Sequence, residues 1–132
     1  MELKTLGYFS REHMTQNQRL MIVDDEEVMR DFLLEVFAES KPIGAESGEA
    51  ALELLKQNEV DIIITDLKMP GMDGLSLLKQ VKQIDSNIKV IVVTGYASLQ
   101  TASDCIQAGA SDFLKKPFSI AQIRNAVSEA TK

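Results

Sequence analysis

The sequence is short of several things at once, and each shortage removes a class of function. It has one cysteine, Cys105, so no internal disulfide and no multi-thiolate metal site can be built from this chain. That thrift fits a reducing compartment. It has one histidine, His13, in an irregular stretch near the start. That stretch lacks the periodic helices that surround a phosphotransfer histidine. Seven glycines and three prolines in 132 residues leave no low-complexity or fibrous tract. Positive charge is scarce: 14 Lys and Arg face 20 Asp and Glu, a net charge of −6. Such a surface repels phosphate backbones, so direct nucleic-acid or anionic-membrane binding is not expected. No run approaches the roughly 18 apolar residues of a membrane-spanning helix. Glu2, Lys4, Arg11 and Glu12 interrupt any signal-peptide core. A cytoplasmic location is the expectation.

What is present suffices for one domain. The chain is 45% hydrophobic, and a chain of this length buries roughly two-thirds of its unfolded surface. Residues 1–18 carry scattered apolar side chains (Leu3, Leu6, Tyr8, Phe9) without a period and are expected to be a flexible N-terminal extension, with Met14 a natural start for the domain proper. Regular patterning fills residues 19–132. Leu20-Met21-Ile22-Val23 reads as a buried strand, and Val28, Phe32, Leu33, Val36 and Phe37 follow at helical spacing. Pro42-Ile43-Gly44-Ala45 reads as a brief extended piece, and Ser47-Gly48-Glu49 opens a second helix. Ile62-Ile63-Ile64 and Val90-Ile91-Val92-Val93 are further buried strands, with a helix through Leu75, Leu78 and Val81 between them. A helix from about Ser98 to Gln107 stops before Gly109, Asp112-Phe113-Leu114 is a short last strand, and Ser119 caps a final helix.

Strand and helix thus alternate five times. Continuous apolar strands joined by helices predict an α/β fold, a five-stranded, doubly wound parallel sheet with five helices. Pro42 cannot donate to a sheet ladder, so the second strand belongs at an edge, as in the flavodoxin-like order 2-1-3-4-5.

Ligands of open parallel sheets bind beyond the carboxyl ends of the strands. Here those ends carry Asp24 and Asp25 after the first strand, Asp66 after the third, Thr94 after the fourth and Lys116 after the fifth. One lysine cannot neutralise three crowded carboxylates, and a hard divalent cation such as Mg²⁺ supplies the missing charge. A metal-loaded carboxylate beside a lysine and a hydroxyl suits phosphoryl transfer, with an aspartate as nucleophile. Nucleotide and flavin readings fall away, because neither GxxxxGKS/T nor GxGxxG is present and Asp24-Asp25-Glu26-Glu27 would repel a phosphate. Taken singly these residues have plainer readings: a charged helix start, a turn-forming aspartate, a core threonine, a solvated lysine. Met69 and Met72 read as packing residues, and Cys105 as a buried helix residue.

Taken together, four separated motifs resemble a response-regulator receiver domain of two-component signalling. They are Val23-Asp24-Asp25-Glu26, Thr65-Asp66-Leu67-Lys68-Met69-Pro70-Gly71-Met72-Asp73-Gly74, Val93-Thr94-Gly95-Tyr96 and Lys115-Lys116-Pro117-Phe118. The resemblance implies that Asp66 is the phosphoacceptor, taking its phosphoryl group from a sensor histidine kinase or a phosphotransfer protein. It implies Mg²⁺ held by Asp25, Asp66 and the backbone carbonyl of Lys68, with Asp24 acting mainly through a water. Thr94 and Lys116 would contact phosphoryl oxygens, and the peptide before Pro117 would be cis, aiming the lysine at the site. Thr94 and Phe113 would form the switch that alters the face of helix four, strand five and helix five, where an effector or output domain docks and a homodimer can form. Lys68 and Tyr96 would influence how fast the acyl phosphate is lost.

The resemblance also implies no turnover on outside substrates beyond self-catalysed phosphoryl transfer and slow autodephosphorylation. The rival enzyme, an Mg²⁺-dependent aspartyl phosphatase, wants a second acid two residues past the nucleophile, where Lys68 stands. The rival binding module, a pseudo-receiver, would have lost a pocket residue. The wording around Thr94 and Lys116 resembles receivers attached to enhancer-binding ATPases or hybrid kinases, so either a stand-alone regulator or a part of a larger one is expected. The stretch from Glu39 to Ser47 is short for the family, which predicts a stunted second strand.

Overall fold

The computed structural model describes residues 18–132; the readings placed on His13, Met14 and the rest of residues 1–17 lie outside the described residues. Five strands and five helices alternate: β1 (Leu20–Val23), α1 (Glu27–Val36), β2 (Ile43–Ala45), α2 (Gly48–Leu55), β3 (Ile62–Asp66), α3 (Gly74–Ile84), β4 (Lys89–Thr94), α4 (Leu99–Gln107), β5 (Asp112–Lys115) and α5 (Ile120–Ala130). All strand pairs are parallel, in the order 2-1-3-4-5. The expected doubly wound sheet is what forms.

Alternation along each strand divides the core into two layers. Met21, Val23, Ile63, Val90 and Val92 face Ala51, Leu77, Leu78, Val81 and Cys105 of α2, α3 and α4. Leu20, Ile22, Ile62, Ile64, Ile91 and Val93 face Leu33 and Val36 of α1 and Ile123, Ala126 and Val127 of α5. Cys105 is therefore a buried helix residue, and burial raises its thiol pKa further from reactivity. β2 is only three residues long and sits at the edge beside Pro42.

Helix starts follow local chemistry. The side chains of Ser47, Asp73, Ser98 and Ser119 each accept a hydrogen bond from the backbone N–H three residues on, and the last two close full capping boxes. α1 is the exception: Glu26 caps it without any side-chain bond. The apolar spacing in α1 also misleads in part. Met29, Leu33 and Val36 form the packed stripe, whereas Val28 is 84% exposed and Phe32 turns partly to solvent. Phe37 is buried, but beyond the helix, at the head of a single 3₁₀ turn through Ser40. Gly109 ends α4 with φ +106°, a left-handed conformation that favours glycine.

Candidate functional site

The register of the sheet determines which side chains reach its carboxyl rim. β1 and β3 pair with Val23 opposite Thr65, so the next residues, Asp24 and Asp66, emerge side by side. Asp66 in turn pairs with Val93, which places Thr94 one step further along the same rim. Thr94 pairs with Lys115, and Lys116 follows it. The rim residues singled out in the sequence are thus neighbours in space.

Their contacts form one network. The Lys116 ammonium donates to Asp24 Oδ2 and Asp66 Oδ2, each at 3.2 Å. A ligand oxygen from each of Asp24, Asp25 and Asp66 lies within 4.8 Å of the others. Asp24 and Asp66 are buried, at 1% and 6% exposure, while Asp25 is open to solvent. Asp66 Oδ1 accepts the N–H of Leu67 at 2.7 Å and, more weakly, that of Lys68 at 3.4 Å. Asp24 Oδ1 accepts the Glu26 N–H at 2.9 Å. The Thr94 hydroxyl oxygen accepts the Tyr96 N–H at 3.0 Å, and the Thr94 carbonyl accepts the Lys116 N–H at 2.8 Å. The Lys116–Pro117 peptide is cis. The Lys68 ammonium sits 5.5 Å from the centre of the Tyr96 ring, a cation–π distance. Phe113 is half-buried and pairs with Val92, so it shares a sheet face with Thr94 two residues on.

Burial dominates the electrostatics. It pushes the Asp24 carboxyl up; the Glu26 N–H and Lys116 pull it down without cancelling that cost, and Asp66 adds repulsion. Burial also works against the Lys116 ammonium, but the charges of Asp24 and Asp66 and their hydrogen bonds outweigh it, holding this lysine above its ordinary value. Two buried carboxylates therefore share one cation, and a third acid waits at the edge. Oxygen-only donors, several of them anionic, suit a hard divalent ion and not zinc. The donor set fits Mg²⁺.

Two contributors escaped the sequence reading. A Cβ at Gly74 would lie 2.2 Å from the Asp66 carbonyl oxygen, and the Gly74 N–H donates to the Leu67 carbonyl at 2.8 Å. The start of α3 is pressed against the backbone of Asp66, and the Asp73-Gly74 pair was the available signal. Nothing in the sequence pattern singles out Arg30. Its guanidinium donates to the Asp24 carbonyl at 2.7 Å.

The response regulator receiver domain family model matches residues 20–128. The chain is 38% identical over 115 residues to sporulation initiation phosphotransferase F of Bacillus subtilis, covering 86% of this chain and 93% of that protein. Among solved structures it resembles the beryllofluoride-activated NtrC4 receiver domain dimer, at 32% identity and TM-score 0.80, over 86% of this chain and 95% of that one. It also resembles the CheX–CheY–BeF3–Mg²⁺ complex from Borrelia burgdorferi, at 30% identity and TM-score 0.81, over 87% of this chain and 90% of that one. With this sheet order, this rim and these relatives, the chain belongs to the response regulator receiver domains of two-component systems.

Proposed function

We propose that this receiver domain stores a phosphoryl group on Asp66 and changes its partner affinity when it does so. The carrying observation is the Lys116 ammonium shared between Asp24 and Asp66, with Asp25 within 4.8 Å of both. A carboxylate oxygen of Asp66 attacks the phosphorus of a phosphohistidine on a sensor kinase or phosphotransfer protein. A P–O bond forms, the P–N bond breaks, and its electron pair stays on the imidazole, which takes up a proton from water. Asp25, Asp66 and the Lys68 carbonyl would hold Mg²⁺, with Asp24 acting mainly through a water; the ion supplies positive charge to the phosphoryl oxygens. Lys116 leaves its shared position to pair with a phosphoryl oxygen, and the Thr94 hydroxyl donates to another. The Borrelia relative, solved with BeF3 and Mg²⁺, supports the same site chemistry here.

The readout follows from packing. Drawing Thr94 toward the phosphoryl group opens space on the face it shares with Phe113, and the ring turns into it. That biases the surface of α4, β5 and α5, where Leu99, Ile106 and Ile120 are exposed. A downstream effector or output domain docks there, and the dimeric NtrC4 relative supports a second copy as one such partner. Slow autodephosphorylation resets the switch, at a rate influenced by Lys68 and Tyr96. No helix of the described residues is long and apolar enough to cross a membrane, and a cytoplasmic setting alongside the kinase is part of the proposal.

Intact mass after incubation with acetyl phosphate tests this reading. One phosphoryl adduct that needs Mg²⁺ and is absent from Asp66→Asn is the expected result. Tight Mg²⁺ binding with no adduct from acetyl phosphate or from a phosphorylated kinase would make the domain a pseudo-receiver.

A further inference from the structure

Asp24 has every polar group engaged. Its N–H donates to the Ala45 carbonyl at 3.1 Å, and its own carbonyl accepts from Arg30 at 2.7 Å. One carboxylate oxygen accepts the Glu26 N–H at 2.9 Å and the other takes Lys116 at 3.2 Å. The residue is a fixed post, and Asp25 is the next link of the chain.

Arg30 breaks a local rule to hold that post. It is the fourth residue of α1, close to the positive end of the helix dipole, where a cation is disfavoured. α1 is also the helix whose cap residue makes no side-chain bond, so the reach-back comes from an arginine within the helix instead. Gly44 in β2 lies beside its stem. A Cβ at that position would meet Arg30 Cδ at 3.4 Å and Leu34 Cδ1 at 3.3 Å. Local rules broken with such support are expected at functional sites.

We propose that Arg30 is a positioning residue: by pinning the Asp24 carbonyl it fixes the turn after β1, so that Asp25 stands within reach of Asp24 and Asp66 before a cation arrives. This rests on the reading that these acids hold Mg²⁺. It is distinguishable from simple charge balance by sign. Arg30 is itself a cation near the site, so if charge alone mattered, removing it would strengthen binding of another cation. If it positions the turn, removing it weakens binding.

Calorimetric titration with Mg²⁺ decides, alongside thermal melting without metal. The Arg30→Met variant keeps the apolar stem and loses the donor. It should bind Mg²⁺ about tenfold more weakly, the low end for groups that orient metal ligands, while melting cooperatively. Arg30→Lys keeps the charge with a different donor geometry and should fall between wild type and Arg30→Met. Binding by Arg30→Met that equals or exceeds wild type overturns the proposal. If Arg30→Met fails to fold, wild-type affinity in Arg30→Lys overturns it instead, and weaker affinity supports it. A wild-type protein that takes up no Mg²⁺ would fell the site reading itself, and this inference with it.

Discussion

The two rims of the sheet hold charge in opposite ways. At the amino end, Arg19 bonds both oxygens of the Asp61 carboxylate, at 3.0 and 3.1 Å, and also Glu59, largely in water. At the carboxyl end, Lys116 is shared between two carboxylates that are almost wholly buried. The first cluster is a tie between strands: exposed, bidentate and of little energetic weight. The second costs burial energy that its single lysine only partly returns. Such an arrangement suits the proposed role, in which a cation would supply the missing positive charge. Local imbalance, more than charge itself, separates the candidate site's rim from the opposite one.

Substitutions can sharpen or break that contrast. The largest stability effect is expected from Gly74→Ala. The added methyl has backbone on its far side, so α3 or Asp66 must shift, costing about 3 kcal/mol and slowing adduct formation together; urea unfolding and intact mass read the two. Lys116→Met should come next. It leaves Asp24 and Asp66 facing each other without a counter-charge and costs roughly 2 kcal/mol in Mg²⁺-free urea unfolding, less than for a fully buried pair because part of the lysine reaches water. Added Mg²⁺ should restore part of the loss. Equal effects from Lys116→Met and Arg19→Met would erase the distinction between the rims.

Acid titration should separate the rims by sign. The Arg19 hydrogen bonds hold the Asp61 carboxyl below its ordinary value of 3.8, so its contribution is fully present above that value and is lost as pH falls through the lowered one. Burial raises Asp24, so its penalty is fully present above the raised value and is relieved as pH falls through it. Without Mg²⁺, Asp24→Asn should therefore stabilise the protein at neutral pH, by an amount that shrinks toward pH 4. Asp61→Asn should destabilise it at neutral pH, with the deficit closing at lower pH. The smallest effect is expected from Arg19→Met, because the arginine itself is more than half exposed.

Most of the candidate site was legible because it is built from strand ends. A run such as Ile62-Ile63-Ile64 declares a buried strand, and the polar residue that stops it must emerge at the rim. Asp66, Thr94 and the aspartates after β1 were found this way, and Pro42 marked the edge. What escaped depends on approach through space. Gly74 is a glycine because a backbone oxygen crowds it, which no spacing reveals. Arg30 reaches back over its own helix to a carbonyl, and of the apolar stripe expected in α1 Leu33 and Val36 are buried while Met29, not Val28 or Phe32, completes it. Periodicity locates a face to within about one residue per turn, and at a helix start that margin decides which side chain touches the site.

The most direct test is to locate the phosphoryl group. Protein treated with acetyl phosphate and Mg²⁺ is reduced with borohydride, which converts an aspartyl phosphate to homoserine, and its peptides are sequenced by mass spectrometry. Homoserine at position 66, absent when Mg²⁺ is omitted, is the result this account expects. Homoserine at position 24 or 25, or at 66 to the same extent without Mg²⁺, would contradict it.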